Sequence, residues 1–225
     1  MNLKGAMFGV MGLVASLSAS AQTIDFGSFV LDFDDATIFG APTVNLAGPG
    51  GLVSVSWSVP GSVNLAVNDS LDFVEFDLPS FTITSANGGH LSGPVTGLFG
   101  NLVFSEFGDS ETTATLDGEV SLNNGAPVVM GGDMTRTITS SEPGVFTGGF
   151  YSAAASAPLG DFNALGFSNG HLALIVFGTG AILAQPQNEM RVSFFVAPAA
   201  VPVPTALWLF GSALGGLGLL RRRQA

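Results

Sequence analysis

The chain has 225 residues, no cysteine, and a formal net charge of −11 from 17 acidic and six basic residues. An acidic surface of this kind repels phosphate backbones, so nucleic acid is excluded as a partner. The lack of cysteine excludes disulfides, thiol catalysis and Cys-based metal sites, and a chain of this length can build its core without such cross-links.

The N-terminal segment, residues 1–21, has the three parts of a secretory signal peptide. Lys4 supplies the positive charge, an apolar stretch follows, and Ala19 and Ala21 form an A-x-A cleavage site. An uncleaved N-terminal anchor is the alternative, but the apolar stretch is short and gives way to small residues. We therefore expect cleavage after Ala21 and a mature chain that begins at Gln22.

The body of the chain, residues 22–200, is expected to form one exported domain. All 17 acidic residues lie in it, whereas Arg136 and Arg191 are its only basic residues, so its formal net charge is −15. Nineteen phenylalanines against one tyrosine and two tryptophans indicate that the aromatic residues mainly fill a core. Trp57 either lines a ligand-binding face or packs in that core, and we expect the second.

Three carboxylates, Asp32, Asp34 and Asp35, lie close together after the first predicted strand. Calcium prefers oxygen ligands, about six to eight of them, and carboxylates are the strongest that a protein offers. These residues are therefore a candidate calcium site, with Asn68 and Asp69 as a second cluster, although neither matches the EF-hand loop. No other cofactor is predicted.

Alternating apolar and polar residues predict β-structure throughout the body. Val74, Phe76 and Leu78 share one face of a predicted strand. Glu75 and Asp77 alternate with them and are expected to face solvent, which is the period of two of a half-buried strand. The other predicted strands are residues 24–32, 52–58, 80–84, 98–105, 116–122, 128–139, 145–151, 171–177 and 191–196.

Clusters of glycine, proline and asparagine predict turns between these strands. They lie at residues 48–51, 59–61, 87–89, 123–125, 142–144 and 168–170. Many short strands separated by such turns are typical of an antiparallel sandwich or barrel, and of the two we expect a jelly-roll-like β-sandwich.

Two histidines, His90 and His171, are the only imidazoles available for catalysis or metal binding. Each follows an Asn-Gly turn and is expected to be a polar residue at the start of a strand. The chain contains no G-x-S-x-G, H-E-x-x-H or P-loop pattern. We therefore expect no active site.

The C-terminal segment, residues 201–225, combines a proline motif, an apolar stretch and an arginine cluster. These parts are, in order, Val201, Pro202, Val203 and Pro204, then residues 205–220, then Arg221, Arg222 and Arg223. Residues 201–220 form a stretch of 20 residues, close to the ~20 residues that a helix needs to cross the hydrocarbon core of a membrane. Because arginine clusters are retained on the cytoplasmic side, we expect one transmembrane helix with the body outside.

Residues 201–209, VPVPTALWL, resemble the PEP-CTERM type of protein-sorting signal, in the variant whose motif reads VPxPxALWL. In that family, an exosortase-type transpeptidase of the membrane cuts near the proline motif and passes the ectodomain outward, usually in Gram-negative bacteria that make exopolysaccharide. Val203 stands where the commonest motif has Glu, so the matching enzyme has to read the variant. The resemblance implies a transient or permanent membrane anchor and an exosortase as partner.

A plain C-terminal anchor is the alternative interpretation of this tail, because its apolar stretch and arginines do not themselves require cleavage. Proline lacks an N–H and pushes the preceding residue towards an extended conformation. The motif Val201 to Pro204 is therefore expected to be non-helical and accessible to a membrane protease, which favours the sorting signal.

The sequence is compatible with two functions. The first is an exported, non-enzymatic surface or extracellular-matrix protein with a structural or adhesive role in an exopolysaccharide or biofilm layer. The second is an exported carbohydrate- or ligand-binding module, with calcium dependence if the acidic cluster binds the ion. The second rests on the functions that β-sandwiches commonly carry.

Overall fold

The computed structural model describes residues 21–47, 51–185 and 187–197. Within these residues, all regular secondary structure is β-strand. In chain order the strands are β1 (Ala21–Asp25), β2 (Phe29–Asp34), β3 (Thr43–Ala47), β4 (Leu52–Ser58), β5 (Asn64–Asp77), β6 (Phe81–Ser85), β7 (His90–Leu122), β8 (Val128–Asp133), β9 (Thr135–Glu142), β10 (Phe146–Ala157), β11 (Asp161–Phe162), β12 (Ala164–Ala184) and β13 (Glu189–Ala197). All their pairings are antiparallel, which confirms the predicted all-β antiparallel class.

One hydrogen-bonded network joins these strands. Its main path runs in the order β1-β2-β6-β12-β7-β13-β4-β3. Off this path, β8, β10 and β11 pair with β7, β5 pairs with β12, and β9 pairs with β10. Strands β7 and β12 contain 33 and 21 residues, far above the ~5–6 of a common strand, and each therefore serves several partners along its length.

Buried aromatic rings show that parts of this network pack face to face. Phe29 on β2 meets Phe194 on β13 edge to face, with ring centroids 5.7 Å apart. Trp57 on β4 stacks on Phe81 of β6 at 5.0 Å. Neither pair joins hydrogen-bonded strands, so the rings fill a core between the β2–β6 and β4–β13 layers.

The alternation of buried and exposed residues explains which side chains enter the core. In β2, Phe29 and Leu31 are buried while the intervening Val30 and Asp32 are partly exposed. In β5, Leu78 just beyond the strand is buried and Phe76 is half-buried, as the period of two predicts. Burial of such apolar surface is the main term that stabilises a domain without disulfides.

Several predicted strand boundaries are wrong. The predicted strand 24–32 is two strands, because the chain turns at Gly27, which has a φ of 81°. Residues 98–105 and 116–122 belong to one strand, β7, and residues 128–139 divide at Met134, which is buried and donates its amide to the Ala114 carbonyl. Strand β3 was not predicted.

The predicted turn at residues 168–170 is also wrong, since this segment lies inside β12. Asn169 has a φ of 50°, and the register between β12 and β7 shifts between Ser168 and His171. The Asn-Gly pair thus forms a β-bulge, because β12 continues past it between β5 and β7. Among the histidines, His90 begins a strand as expected, whereas His171 lies in the interior of β12.

Candidate functional site

An open cleft of about 550 Å³ lies beside the C-terminal end of β5. Three parts of the chain form it: the end of β5 with the residues that follow, the bulge of β12, and the segment after β2. Its lining residues are Asp34, Ala36, Thr37, Ile38, Glu75, Phe76, Asp77, Leu78, Ser80, Asn169, Gly170 and His171. The cleft is within the ~300–1,000 Å³ range of small-ligand sites.

The pairing of β5 with β12 places charged side chains together at this cleft. In the register, His171 is opposite Asp77 and Ala173 is opposite Glu75. Residues two apart on a strand share a face, so both carboxylates lie on the same face as the imidazole. Asp117 of β7 is opposite His171 on its other side, which makes this an acidic surface around one histidine.

His171 contacts both carboxylates through one nitrogen. Its Nδ1 atom lies 3.1 Å from Glu75 Oε1 and 3.2 Å from Asp77 Oδ1. Nδ1 is buried, and neither contact has the angles of a hydrogen bond, so the attraction is electrostatic and strongest when the imidazole is protonated. The remainder of the side chain is 39% exposed and lines the cleft.

The segment after β2 forms another part of the cleft lining. The Ala36 amide donates to Asp34 Oδ1 at 2.8 Å, a local hydrogen bond that holds the turn in place. Thr37 follows, and its buried hydroxyl has no hydrogen-bond partner among the described residues. Ile38 is 51% exposed and gives this wall an apolar surface.

The three residues of the candidate calcium site have separate partners. Thr23 donates its hydroxyl to Asp32 Oδ1, and Gln22 donates its amide group to Asp35 Oδ2, each at 2.5 Å. Asp34 instead lines the cleft. Across residues 21–47, 51–185 and 187–197, no three His, Cys, Asp or Glu side chains are grouped so as to hold a metal ion. Calcium binding stays a prediction.

The remaining predicted site residues belong to the two ends of the chain. Ala21 is the first residue of β1 and is exposed. Ala19, the motif Val201 to Pro204 and the cluster Arg221 to Arg223 lie outside the described residues. In the described part of the chain, no helix is long and apolar enough to cross a membrane.

Sequence reasoning missed the cleft although it placed two of its residues correctly. Glu75 and Asp77 were predicted to face solvent, and they do. The missing information was the long-range pairing that brings His171 and Asp34 beside them. The acidic residues at every second position of β5 were the available signal. A strand face that is simply exposed to solvent has the same pattern. Trp57 is fully buried, which confirms the expected packing in the core and excludes the alternative that it lines a binding face.

A second polar cluster lies in the interior, away from the cleft. Glu106 is buried and accepts hydrogen bonds from Thr112, while Arg136 Nη2 lies 2.5 Å from Glu106 Oε2. The Tyr151 hydroxyl donates to the Thr112 carbonyl and lies 2.9 Å from its hydroxyl. Burial raises the pKa of Tyr151, an effect partly offset by the Thr112 hydrogen bond and the Arg136 charge.

This buried cluster ties strands β7, β9 and β10 together. Arg136 also places its guanidinium 4.6 Å from the centre of the Phe104 ring. Tyr151 packs on the same ring at 5.0 Å. Because its polar atoms are hydrogen-bonded to one another, we assign the cluster a role in holding the sheet rather than in binding a ligand.

No protein-family model and no curated protein matches this chain.

Proposed function

We propose that this chain is an exported, non-enzymatic protein of the cell surface or extracellular matrix, with a structural or adhesive role in an exopolysaccharide or biofilm layer. The observation that carries the proposal is the tail, in which the motif Val201 to Pro204 precedes an apolar stretch and the cluster Arg221 to Arg223. Its resemblance to a PEP-CTERM sorting signal supplies the route of delivery.

The proposed route has three stages. The signal peptide, residues 1–21, directs export and is removed. The tail, residues 201–225, spans the membrane as one helix and stops there, because three arginines resist transfer across the bilayer. An exosortase-type transpeptidase then cuts near Pro204, and the body, residues 22–200, proceeds to the surface.

The body of the protein is proposed to be a jelly-roll-like β-sandwich. The buried contacts of Phe29 with Phe194 and of Trp57 with Phe81 support two packed layers. The long strands β12 and β7 connect those layers along the hydrogen-bonded path. Without cysteine, the stability of this domain depends on the burial of apolar surface.

The absence of catalysis is proposed from the geometry at the cleft. Glu75 and Asp77 are on one strand and contact the same nitrogen, so they lie side by side. This pair therefore does not supply the two carboxylates on opposite sides of the scissile bond that a glycosidase needs. Ser80 lines the cleft as well, but among the described residues its hydroxyl makes no hydrogen bond with His171, as an activated nucleophile requires.

The mass of the mature protein purified from the native cells tests this proposal. We expect a chain that begins at Gln22 and ends near Pro204. Replacing Pro202 and Pro204 by alanine should leave the arginines attached, whereas Pro198→Ala, just outside the motif, should be processed normally. A wild-type mature chain that retains Arg223 would show that the tail is a plain anchor.

Ligand binding is a second candidate function, favoured by the cleft between β5, the β12 bulge and the segment after β2. In this candidate function, ligand binding depends on calcium bound by the acidic cluster. Isothermal titration of the protein with Ca²⁺ should then give heat that Asp34→Ala and Asp35→Ala reduce. No binding heat in the wild-type protein would remove calcium from the proposal.

A further inference from the structure

We propose that strand β8 pairs antiparallel with β8 of a second copy of this chain, so that the two sheets join across a two-fold axis. Self-association of this kind goes beyond the proposed surface or matrix role and does not depend on it. Among the described residues, β8 pairs with β7 and with no other strand. Its opposite edge therefore presents backbone N–H and C=O groups that a further strand can pair with.

The side chains of β8 are exposed on both faces of the sheet. All six of its residues are exposed, and Val128, Val129 and Met130 are exposed to 64%, 75% and 46%. Because successive side chains of a strand point to opposite faces, Val129 lies on one face while Val128 and Met130 lie on the other. A partner that lay flat on one face would leave apolar side chains uncovered on the other. An added strand contacts both faces, which favours strand addition as the mode of association.

The edge at β8 lacks the charges that commonly protect a free strand. Residues 123–132, NNGAPVVMGG, contain no charged side chain, whereas the body as a whole has a net charge of −15. Two such bodies repel each other, so an uncharged edge is where they can approach closely. Strand β3 is another uncharged edge, but its Val44 packs against the core, so β3 has less apolar surface to cover.

The order of the apolar residues makes β8 complementary to itself. With the two-fold axis at Val129, this residue lies opposite Val129 of the second copy. Val128 then lies opposite Met130 of the second copy, and the reverse pair follows from the symmetry. Asp133 falls opposite Gly125, so no two like charges are opposed. Such pairing uses the same surface on both copies and therefore closes as a dimer.

The contact is small, and the dimer is therefore expected to be weak and reversible. A single strand of six residues on each copy buries less than the ~1,200 Å² of a standard interface. Covalent trapping detects such a dimer better than its mass in dilute solution does. The chain contains no cysteine, so one introduced cysteine reports on one position alone.

Single-cysteine variants of the full chain in mild detergent test the pairing. Val129→Cys places two thiols directly opposite, with Cα atoms ~4.5–5.5 Å apart, within the ~4.4–6.8 Å that a disulfide spans. Met130→Cys places its two thiols on a diagonal, roughly 7–8 Å apart, which is too far. Leu46→Cys, at a position 61% exposed on the edge strand β3, is the matched control.

Oxidation with copper phenanthroline should then link Val129→Cys selectively. We expect at least about tenfold more disulfide-linked dimer than from Met130→Cys or Leu46→Cys, because pairing raises the effective concentration of the two thiols. Yields are compared by electrophoresis without reductant.

An added charge on β8 separates pairing from random collision. Val128→Asp, in the Val129→Cys background, buries a carboxylate against Met130 of the second copy and should lower the dimer yield about tenfold. Leu46→Asp in the same background adds the same charge away from β8 and should leave the yield unchanged. Thermal denaturation checks the fold of both, and Val128 is exposed enough to tolerate the change.

Every other outcome decides against the inference. Equal yields from Val129→Cys and Leu46→Cys, or no linked dimer from Val129→Cys, would overturn pairing through β8. A yield from Met130→Cys equal to that from Val129→Cys would overturn the two-fold register. Equal losses from Val128→Asp and Leu46→Asp would assign the linkage to collisions controlled by net charge.

Discussion

Glu106 accepts two hydrogen bonds from Thr112, at 2.6 Å from its amide and 2.7 Å from its hydroxyl. The two residues lie on either side of residues 108–110, where β7 bulges and its register with β12 shifts. One buried carboxylate therefore satisfies a backbone donor and a side-chain donor next to the bulge, and Arg136 of β9 neutralises its charge.

The first prediction concerns the stability that this carboxylate provides. Glu106→Ala leaves the buried Thr112 amide without its acceptor and Arg136 without its carboxylate partner, and it should lower the free energy of unfolding by about 3 kcal/mol. Urea denaturation followed by tryptophan fluorescence measures the change. Glu111→Ala, at an exposed position of the same strand, should change it by no more than about 0.5 kcal/mol. Similar losses in both variants would contradict this account.

The second prediction uses the only tyrosine of the chain. Burial raises the pKa of Tyr151 above its ordinary value of 10.0, so the phenol should ionise at higher pH in the folded protein than in urea. Absorbance at alkaline pH follows this one group without overlap from other tyrosines. A folded-state midpoint at or below that found in urea would refute the prediction.

The same pKa sets the direction of the alkaline stability change. Since the folded-state pKa lies above the unfolded one, the contribution of Tyr151 is complete below pH 10 and is lost as the pH rises through the folded-state pKa. The free energy of unfolding should therefore fall in that range. Tyr151→Phe should be less stable at neutral pH, because it loses the hydrogen bond to Thr112, but should show a smaller alkaline decline.

The third prediction concerns the close approach of β9 and β10. A Cβ on Gly149 would overlap the Thr137 carbonyl oxygen and touch the backbone of Ile138. Gly149→Ala should thus force the strands apart and lower the free energy of unfolding by about 2 kcal/mol. At Gly97 of β7, no atom lies within 4 Å of an added Cβ, so Gly97→Ala should keep or raise stability by up to about 1 kcal/mol. Thermal denaturation of the two variants compares them directly, and a less stable Gly97 variant would contradict the steric explanation.

Local alternation was enough to predict the strand class and the inward faces. Strand β4 has the predicted limits, and Val74, Phe76 and Leu78 point inward while Glu75 and Asp77 face solvent. These features depend on side chains two residues apart, which the sequence displays directly. The limits of β7 and β12 were not predicted, because a Gly or Asn-Gly cluster has the same local preferences in a turn and in a bulge.

The amino-acid order alone therefore determined the acidic, cysteine-free, all-β character of the body and the two terminal segments proposed to direct its export. The fold determined which distant strands pair, and through that pairing it placed His171 beside Glu75 and Asp77 and brought Asp34 to the same cleft. It also buried Trp57 against Phe81. Such contacts depend on closing long loops and matching registers across the sheet, and these are collective properties that no short window of residues contains.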